Sequence, residues 1–178
     1  MTDARRAVRP RPANRGDGRA RVLFSFGGNV GDSAATVRQA LMAIGEAPDV
    51  ELVAASRLYQ TPPWGKTDQA PFVNACAIAL TRLAPEALLD RMKQLETALG
   101  RVPTERWGPR VIDIDILAYD DVVLSTDRLT LPHPELFNRA FVLVPLAEIA
   151  PDQTILGVRV ADAAARFDPK AEGIVPLD

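Results

Sequence analysis

Between Arg110 and Leu117 the chain reads Arg-Val-Ile-Asp-Ile-Asp-Ile-Leu. Strict alternation of β-branched and polar residues is a strand pattern, because side chains on a strand change face at every residue. Ile112, Ile114 and Ile116 share one face, and Asp113 and Asp115 share the other. A fold that contains this strand needs an apolar layer on one side of a sheet and a polar surface on the other. At a rise of about 3.3 Å per residue the two carboxylates start about 6–7 Å apart and aim the same way. Adjacent anions stay ionised most easily with a cation between them. One or two carboxylates completed by water and phosphate oxygens are what Mg²⁺ prefers. The plain alternative is a polar strand face turned to solvent.

The stretch before the strand favours the first option. Gly100 to Arg110 carries Arg101, Arg106, Arg110 and Trp107 among glycine and prolines, which mark a loop. Arginine keeps its charge at any working pH and presents a planar fork to phosphate oxygens. Tryptophan offers a flat face to a heterocycle or a cation. Cations on one side and a metal on the other are most of what phosphate-group transfer asks of a protein.

Bulk properties exclude several classes. At 178 residues the chain suits one domain with a buried core. A formal net charge of −2 gives no support for nucleic-acid or membrane-surface binding. The single cysteine, Cys76, rules out an internal disulfide and cannot make a zinc site alone. No apolar stretch is long enough to span a bilayer, and the N-terminus lacks the apolar segment of a secretory signal. A cytoplasmic location fits these features.

Residues 1–20 are rich in Arg, Pro, Gly and Ala and read as a disordered basic tail; 21–178 read as a single domain. Within it, 22–26 predict a strand, Gly27 to Asp32 a Gly-rich turn, and 33–45 a helix. A strand over 52–61 is stopped by Pro62-Pro63, and another is predicted over 72–80. Pro85 opens and Gly100 closes a helix over 84–99. The acidic strand runs to about Tyr119, with a hairpin partner predicted at 122–124. A short helical turn over 134–138 and a helix over 141–149 follow, and 153–178 show little pattern. The order β-α-β-β-α-β predicts an α+β fold with a ferredoxin-like core, a mainly antiparallel sheet sandwiched by helices. The Gly-rich turn lacks the Lys-Ser/Thr ending of a P-loop. Its glycines suit close backbone approach to a flat ligand or to another loop.

Several segments together resemble the 6-hydroxymethyl-7,8-dihydropterin pyrophosphokinase family of folate biosynthesis. They are Phe26-Gly27-Gly28-Asn29-Val30-Gly31-Asp32, Tyr59-Gln60-Thr61-Pro62-Pro63-Trp64-Gly65, Phe72-Val73-Asn74-Ala75, and Glu96 with Gly100-Arg101. Arg106-Trp107-Gly108-Pro109-Arg110 leading into Asp113-Ile114-Asp115, and Leu131-Pro132-His133 with Asn138-Arg139-Ala140-Phe141, complete the set.

The resemblance implies a Mg²⁺-dependent diphosphotransferase. It would move pyrophosphate from ATP to the 6-hydroxymethyl oxygen of the dihydropterin, giving AMP and the pterin diphosphate. Asp113 and Asp115 would hold two Mg²⁺ ions, with Arg101 and Arg110 neutralising phosphate charge. Phe72 and Phe141 would sandwich the pterin, and Asn74 would read its edge with groups near Thr61, Pro62, Pro63 and Trp64; Asp113 would border it. ATP would meet Lys93, Glu96, Arg101, Arg106, Trp107, Arg110, Ile116, Arg128, Thr130, His133 and Arg139. The expected partners are these two small molecules, without nucleic acid or membrane, and a monomer is expected. A catalytically silent pterin or nucleotide sensor on the same fold is the alternative. Three positions depart from the family pattern: Gly28 replaces a usual serine, Lys93 a frequent glutamine, and Pro134 a frequent aromatic.

Overall fold

A computed structural model describes residues 17–104 and 108–177. The expectations for residues 1–16, Arg106 and Trp107 lie outside the described residues. The main sheet is entirely antiparallel. It contains β1 (Ala20–Gly28), β2 (Val50–Ala55), β3 (Tyr59–Thr61), β4 (Phe72–Thr81), β5 (Asp113–Tyr119) and β10 (Val175–Pro176). Its order is β10-β3-β4-β1-β5, with β2 also paired to β4. Taking β2 and β3 as one broken strand gives the ferredoxin-like arrangement. Helices α1 (Ser33–Glu46) and α2 (Pro85–Ala98) supply the two crossovers.

Strand alternation divides the core into two layers. Val22, Phe24 and Phe26 of β1, Ala75, Ala77 and Ala79 of β4, and Ile114 and Ile116 of β5 point one way. There they meet Val37, Ala40 and Ile44 of α1 and Leu88 and Met92 of α2. Leu23, Cys76, Ile78 and Leu117 point the other way, onto α3 (Ala140–Ile149) with Val142 and Leu146. Both helices on the first face have sequence-encoded starts: the Asp32 carboxylate accepts the Ala35 N–H at 3.0 Å, and Pro85 occupies the first turn of α2. On the second face α3 covers only part of the sheet. Ser25 and Gly27 of β1, Asn74 of β4, and Asp113 and Asp115 of β5 face a cavity there instead.

Three expectations change. The strand predicted over 52–61 is two strands: Leu58 and Tyr59 are buried in succession, which breaks the alternation, and the gap between the strands opens at Ser56. Its hydroxyl accepts the Cys76 N–H at 2.9 Å, which keeps the broken segment on β4. Residues 122–124 do not pair with the acidic strand. Asp120 clamps the end of β5 to β1, its backbone N–H donating to Arg21 O at 2.8 Å and its carboxylate accepting Arg21 N–H at 2.9 Å. The chain therefore turns away, and β6 (Leu124–Ser125) pairs with β7 (Thr130–Leu131). The unpatterned C-terminal stretch contains a two-residue hairpin, β8 (Thr154–Ile155) with β9 (Val158–Arg159), then α4 (Val160–Ala164) and β10. Each is too short to show a period. The turn after Pro134 forms a 3-10 helix over Leu136–Asn138.

Candidate active site

The cavity on the uncovered sheet face measures about 400 Å³. Its floor is set by register: Asp113 lies opposite Gly27, Asp115 opposite Ser25, and Gly27 opposite Asn74. A β-bulge interrupts the β1–β5 pairing between Leu23 and Phe24, at Leu117. The Leu117 carbonyl accepts the His133 N–H at 2.8 Å, which fixes the histidine loop beside the acidic strand. Phe141 and Arg139 enter from the start of α3, and Thr61, Pro62 and Trp64 from the end of β3.

Arg101 is placed by the way α2 stops. Gly100 takes φ 91°, a conformation that favours glycine. The Arg101 N–H then returns to Glu96 O and the Gly100 N–H to Thr97 O, both at 3.0 Å. This Schellman turn throws Arg101 back over its own helix. Its guanidinium reaches Glu96 Oε2 at 2.7 Å and also bonds Asp113. Glu96 itself is only 2% exposed, and its Oε1 accepts the Ile114 N–H at 2.7 Å and Lys93 Nζ at 2.8 Å. The carboxylate thus satisfies a backbone donor of the edge strand at the residue between the two aspartates. Burial pushes the Glu96 carboxyl up, while Lys93, the Ile114 N–H and Arg101 pull it back.

Arg110 is held by Asn29, a residue of the Gly-rich turn. Asn29 Oδ1 accepts the Arg110 N–H at 3.0 Å, and the Asn29 N–H returns to Arg110 O at 2.9 Å. The Asn29 amide also donates to Ala70 O and Gln69 Oε1, both at 3.0 Å. One buried side chain therefore ties three loops together. Beside it, Gly28 packs so tightly that a Cβ there would lie 2.3 Å from Val111 O. Close approach to another loop is the role its small size serves.

The two aspartates have different surroundings. Burial works to raise Asp113, but Arg101, Arg110 and Lys93 outweigh it and hold the carboxyl below the usual range. Arg110 Nη1 bonds Asp113 Oδ2 at 2.7 Å. Among the described residues Asp115 has one distant cation, Arg139 at 3.6 Å, with His133 Nε2 at 3.8 Å. Burial, then repulsion from Asp113, pushes its carboxyl up to about 6. Burial and the Arg139 charge push His133 down to about 4, so the ring is neutral at working pH. His133 Nδ1 accepts the Glu135 N–H at 3.1 Å, which leaves the proton on Nε2, the nitrogen facing Asp115.

Aromatic faces line the other half of the cavity. The Arg110 guanidinium lies 5.5 Å from the Phe72 ring centre, and Arg139 lies 5.1 Å from Trp64 and 5.8 Å from Phe141. Trp64 and Phe141 are 6.3 Å apart at a tilt of 59°. Asn74, 3% exposed, donates its amide to Thr61 Oγ1 at 2.6 Å. Nε of Arg110 and of Arg139 are buried without a hydrogen-bond partner among the described residues.

The structure thus brings together Thr61, Pro62, Trp64, Phe72, Asn74, Arg101, Arg110, Asp113, Asp115, His133, Arg139 and Phe141 around one cavity. Other residues named from the sequence stand outside its wall. Lys93 and Glu96 sit behind Asp113 on α2. Ile116 buries its side chain in the core with residues of α1 and α2. Arg128 pairs with Asp90 of α2, Thr130 lies in β7, and Pro63 is next to the lining. Ser25, Pro103 and Thr104 also line the cavity, and sequence reasoning did not single them out. For Ser25 a signal was present, since it shares the strand face of Gly27.

A sheet-borne acidic pair faced by guanidinium groups, with aromatic planes in the same cavity, defines a phosphate-handling enzyme site with a slot for a flat ligand. Comparison narrows the class. Residues 23–151 match the model of the 7,8-dihydro-6-hydroxymethylpterin-pyrophosphokinase family. A 2-amino-4-hydroxy-6-hydroxymethyldihydropteridine pyrophosphokinase from Methylorubrum extorquens is 50% identical over 149 residues, 84% of this chain and 94% of that protein. The Pseudomonas aeruginosa protein of the same name is 44% identical over 132 residues, 74% and 82% of the two chains. The chain belongs to the 7,8-dihydro-6-hydroxymethylpterin-pyrophosphokinase family. Its fold is also that of Plasmodium falciparum HPPK-DHPS with pteroate, at a TM-score of 0.68 and 14% identity. That match covers 87% of this chain but 43% of the solved one, so the chain spans less than half of that protein. Among the described residues no helix is long and apolar enough to cross a membrane.

Proposed function

We propose that this protein transfers pyrophosphate from ATP to the 6-hydroxymethyl group of 6-hydroxymethyl-7,8-dihydropterin, giving AMP and the pterin diphosphate, a step of folate biosynthesis. The observation that carries this reading is the convergence of Asp113, Asp115, Arg101 and Arg110 on the cavity that Phe72 and Phe141 also line. The pterin lies between the two phenylalanines, in place of the guanidinium groups now stacked there, and Asn74 reads its polar edge. The hydroxymethyl oxygen attacks the β-phosphorus of ATP. A new P–O bond forms, the bond from that phosphorus to the α-phosphate oxygen breaks, and its electron pair leaves on AMP. The hydroxyl proton passes to a carboxylate or to water. No protein nucleophile is needed; positioning and charge supply the rate.

The donor set fits Mg²⁺. Asp113 and Asp115 offer two oxygen donors on one strand face, and among the described residues there is no larger acidic or histidine cluster. Asp115 is also short of close positive charge, with Arg139 3.6 Å away among the described residues. Two ions held by Asp113 and Asp115 would neutralise phosphate oxygens and favour deprotonation of the hydroxyl group. With a metal ion bound at Asp113, Arg101 and Arg110 would be free to turn to the phosphates. Neutral His133 donates its Nε2–H to a phosphate oxygen, and Arg139 adds charge beside Asp115. Lys93, Glu96, Arg106, Trp107, Ile116, Arg128 and Thr130 complete the nucleotide side, and Thr61, Pro62, Pro63 and Trp64 the pterin side. The protein acts as a cytoplasmic monomer.

The test is a product assay with ATP, Mg²⁺ and the hydroxymethyl dihydropterin. AMP appearing one-for-one with pterin diphosphate, and only with metal, is expected. ADP would mean attack at the γ-phosphorus and would overturn the reading. Binding of both ligands without turnover would leave a silent sensor.

A further inference from the structure

Arg101 has two anionic partners at once. Its Nη1 bonds Glu96 Oε2 at 2.7 Å and also bonds Asp113. For Arg101 to reach phosphate it must leave both. Leaving Asp113 is straightforward, because Arg110 Nη1 already bonds its Oδ2 at 2.7 Å and a bound metal ion would add further positive charge there. Leaving Glu96 is harder. That carboxylate is 2% exposed, and stripping the counter-charge from a buried anion is strongly unfavourable. Glu96 cannot simply follow, because its Oε1 holds the Ile114 N–H at 2.7 Å, between the two aspartates. Lys93 resolves the conflict. It stands one turn back on α2, with Nζ 2.8 Å from Glu96 Oε1, and its side chain is 46% exposed.

We propose that Lys93 is a positioning residue for the transfer step: it stays on Glu96 as a resident counter-ion, so that Arg101 can move to the phosphates without leaving a buried carboxylate uncompensated. Lys93 acts through Arg101 and touches neither reacting atom. A neutral side chain at this position would make Arg101 the sole cation on Glu96 and hold it back. The inference rests on the pyrophosphoryl-transfer reading, in which Arg101 binds phosphate.

The experiment compares wild type, Lys93→Gln and Lys93→Arg in single-turnover transfer, which removes product release from the measured rate. Lys93→Gln is expected to slow transfer on the order of tenfold, the scale of one charge-assisted hydrogen bond. KM for the pterin should stay constant, because Lys93 is remote from the aromatic slot. Calorimetry with a non-reacting ATP analogue should show a parallel loss of affinity. Lys93→Arg keeps a cation on Glu96 and should restore both. In a Glu96→Gln background there is no buried anion to compensate, so Lys93→Gln should then have little effect. An unchanged single-turnover rate in Lys93→Gln overturns the proposal, as does an equal loss in Lys93→Arg. A slower rate that persists in full in Glu96→Gln also overturns it. A wild-type protein that makes no AMP would instead defeat the transfer reading itself.

Discussion

Asp115→Asn should make the metal-free protein more stable while abolishing turnover. The Asp115 carboxyl is raised from 3.8 to about 6, by burial first and by Asp113 second. A raised carboxyl binds its proton more tightly in the folded state than in the unfolded one. Its contribution to stability is therefore fully present below pH ~4, falls as pH rises through about 6, and is lost above that. About two pH units separate the two values, and each corresponds to about 1.4 kcal/mol, so the ceiling is about 3 kcal/mol. The Asp115 side chain keeps 30% of its exposure, so solvent screening reduces the effect to roughly 1–2 kcal/mol. An amide has the same shape without the charge and should recover that amount at pH 8. For a chain of this size the gain is about 3–6 °C in melting temperature. Thermal melts without metal, at pH 8 and pH 4.5, test it: the advantage should be large at the first and small at the second. Mg²⁺ should raise the wild-type melting temperature more than that of the variant. A variant that melts at or below wild type at pH 8, or whose advantage is the same at both pH values, would refute the reasoning.

Three further outcomes are expected. Arg110→Ala should lower kcat about a hundredfold, because a preorganised cation on the transferring phosphates is lost; an unchanged kcat would remove Arg110 from the site. Gly28→Ala should destabilise the fold by about 1–3 kcal/mol in urea melts, since its Cβ would meet Val111 O at 2.3 Å; a neutral result would mean that the two loops separate at little cost. His133, held down to about 4 and neutral, should give kcat no ionisation of its own between pH 5 and 8. His133→Gln, which retains an N–H donor, should therefore show the same pH profile as wild type over that range, whereas a wild-type limb near 6.5 that vanishes in the variant would contradict it.

Much of the sheet was legible because its strands are long enough to show a period. The alternation around Asp113 and Asp115 assigned both the core face and the cavity face without any knowledge of neighbours. Pairing was less legible where it depended on single polar residues. Nothing local announces that Asp120 clamps β5 to β1, and that clamp sends Leu124 to β7 instead of β5. Glu96 shows burial that its residue type conceals. A glutamate on a helix reads as solvent-facing, yet Leu88, Met92 and Glu96 are the buried residues of α2 and follow at intervals of four. The stripe pointed to burial, and the charge of the side chain masked it. The placement of Arg101 was half legible: Gly100 marked the helix end, but only three dimensions show that the turn folds Arg101 back onto Glu96.

The segment between Arg101 and Arg110 is anchored separately at each end, by the Schellman turn on α2 and by Asn29. Both anchors are made by the end residues themselves, Arg101 on Glu96 O and Arg110 on Asn29. Doubling the length of such a segment costs only about 0.6 kcal/mol in closure entropy. Lineages can therefore change the length of its first part, before the Arg106-Trp107-Gly108-Pro109 block, and so retune how the cavity meets solvent, while the two guanidinium groups keep their stations. Changes of length in this loop should accordingly gather between Arg101 and the Arg106-Trp107-Gly108-Pro109 block, and sequence drift at Asn29 or Gly100 should be far rarer than drift in that short stretch.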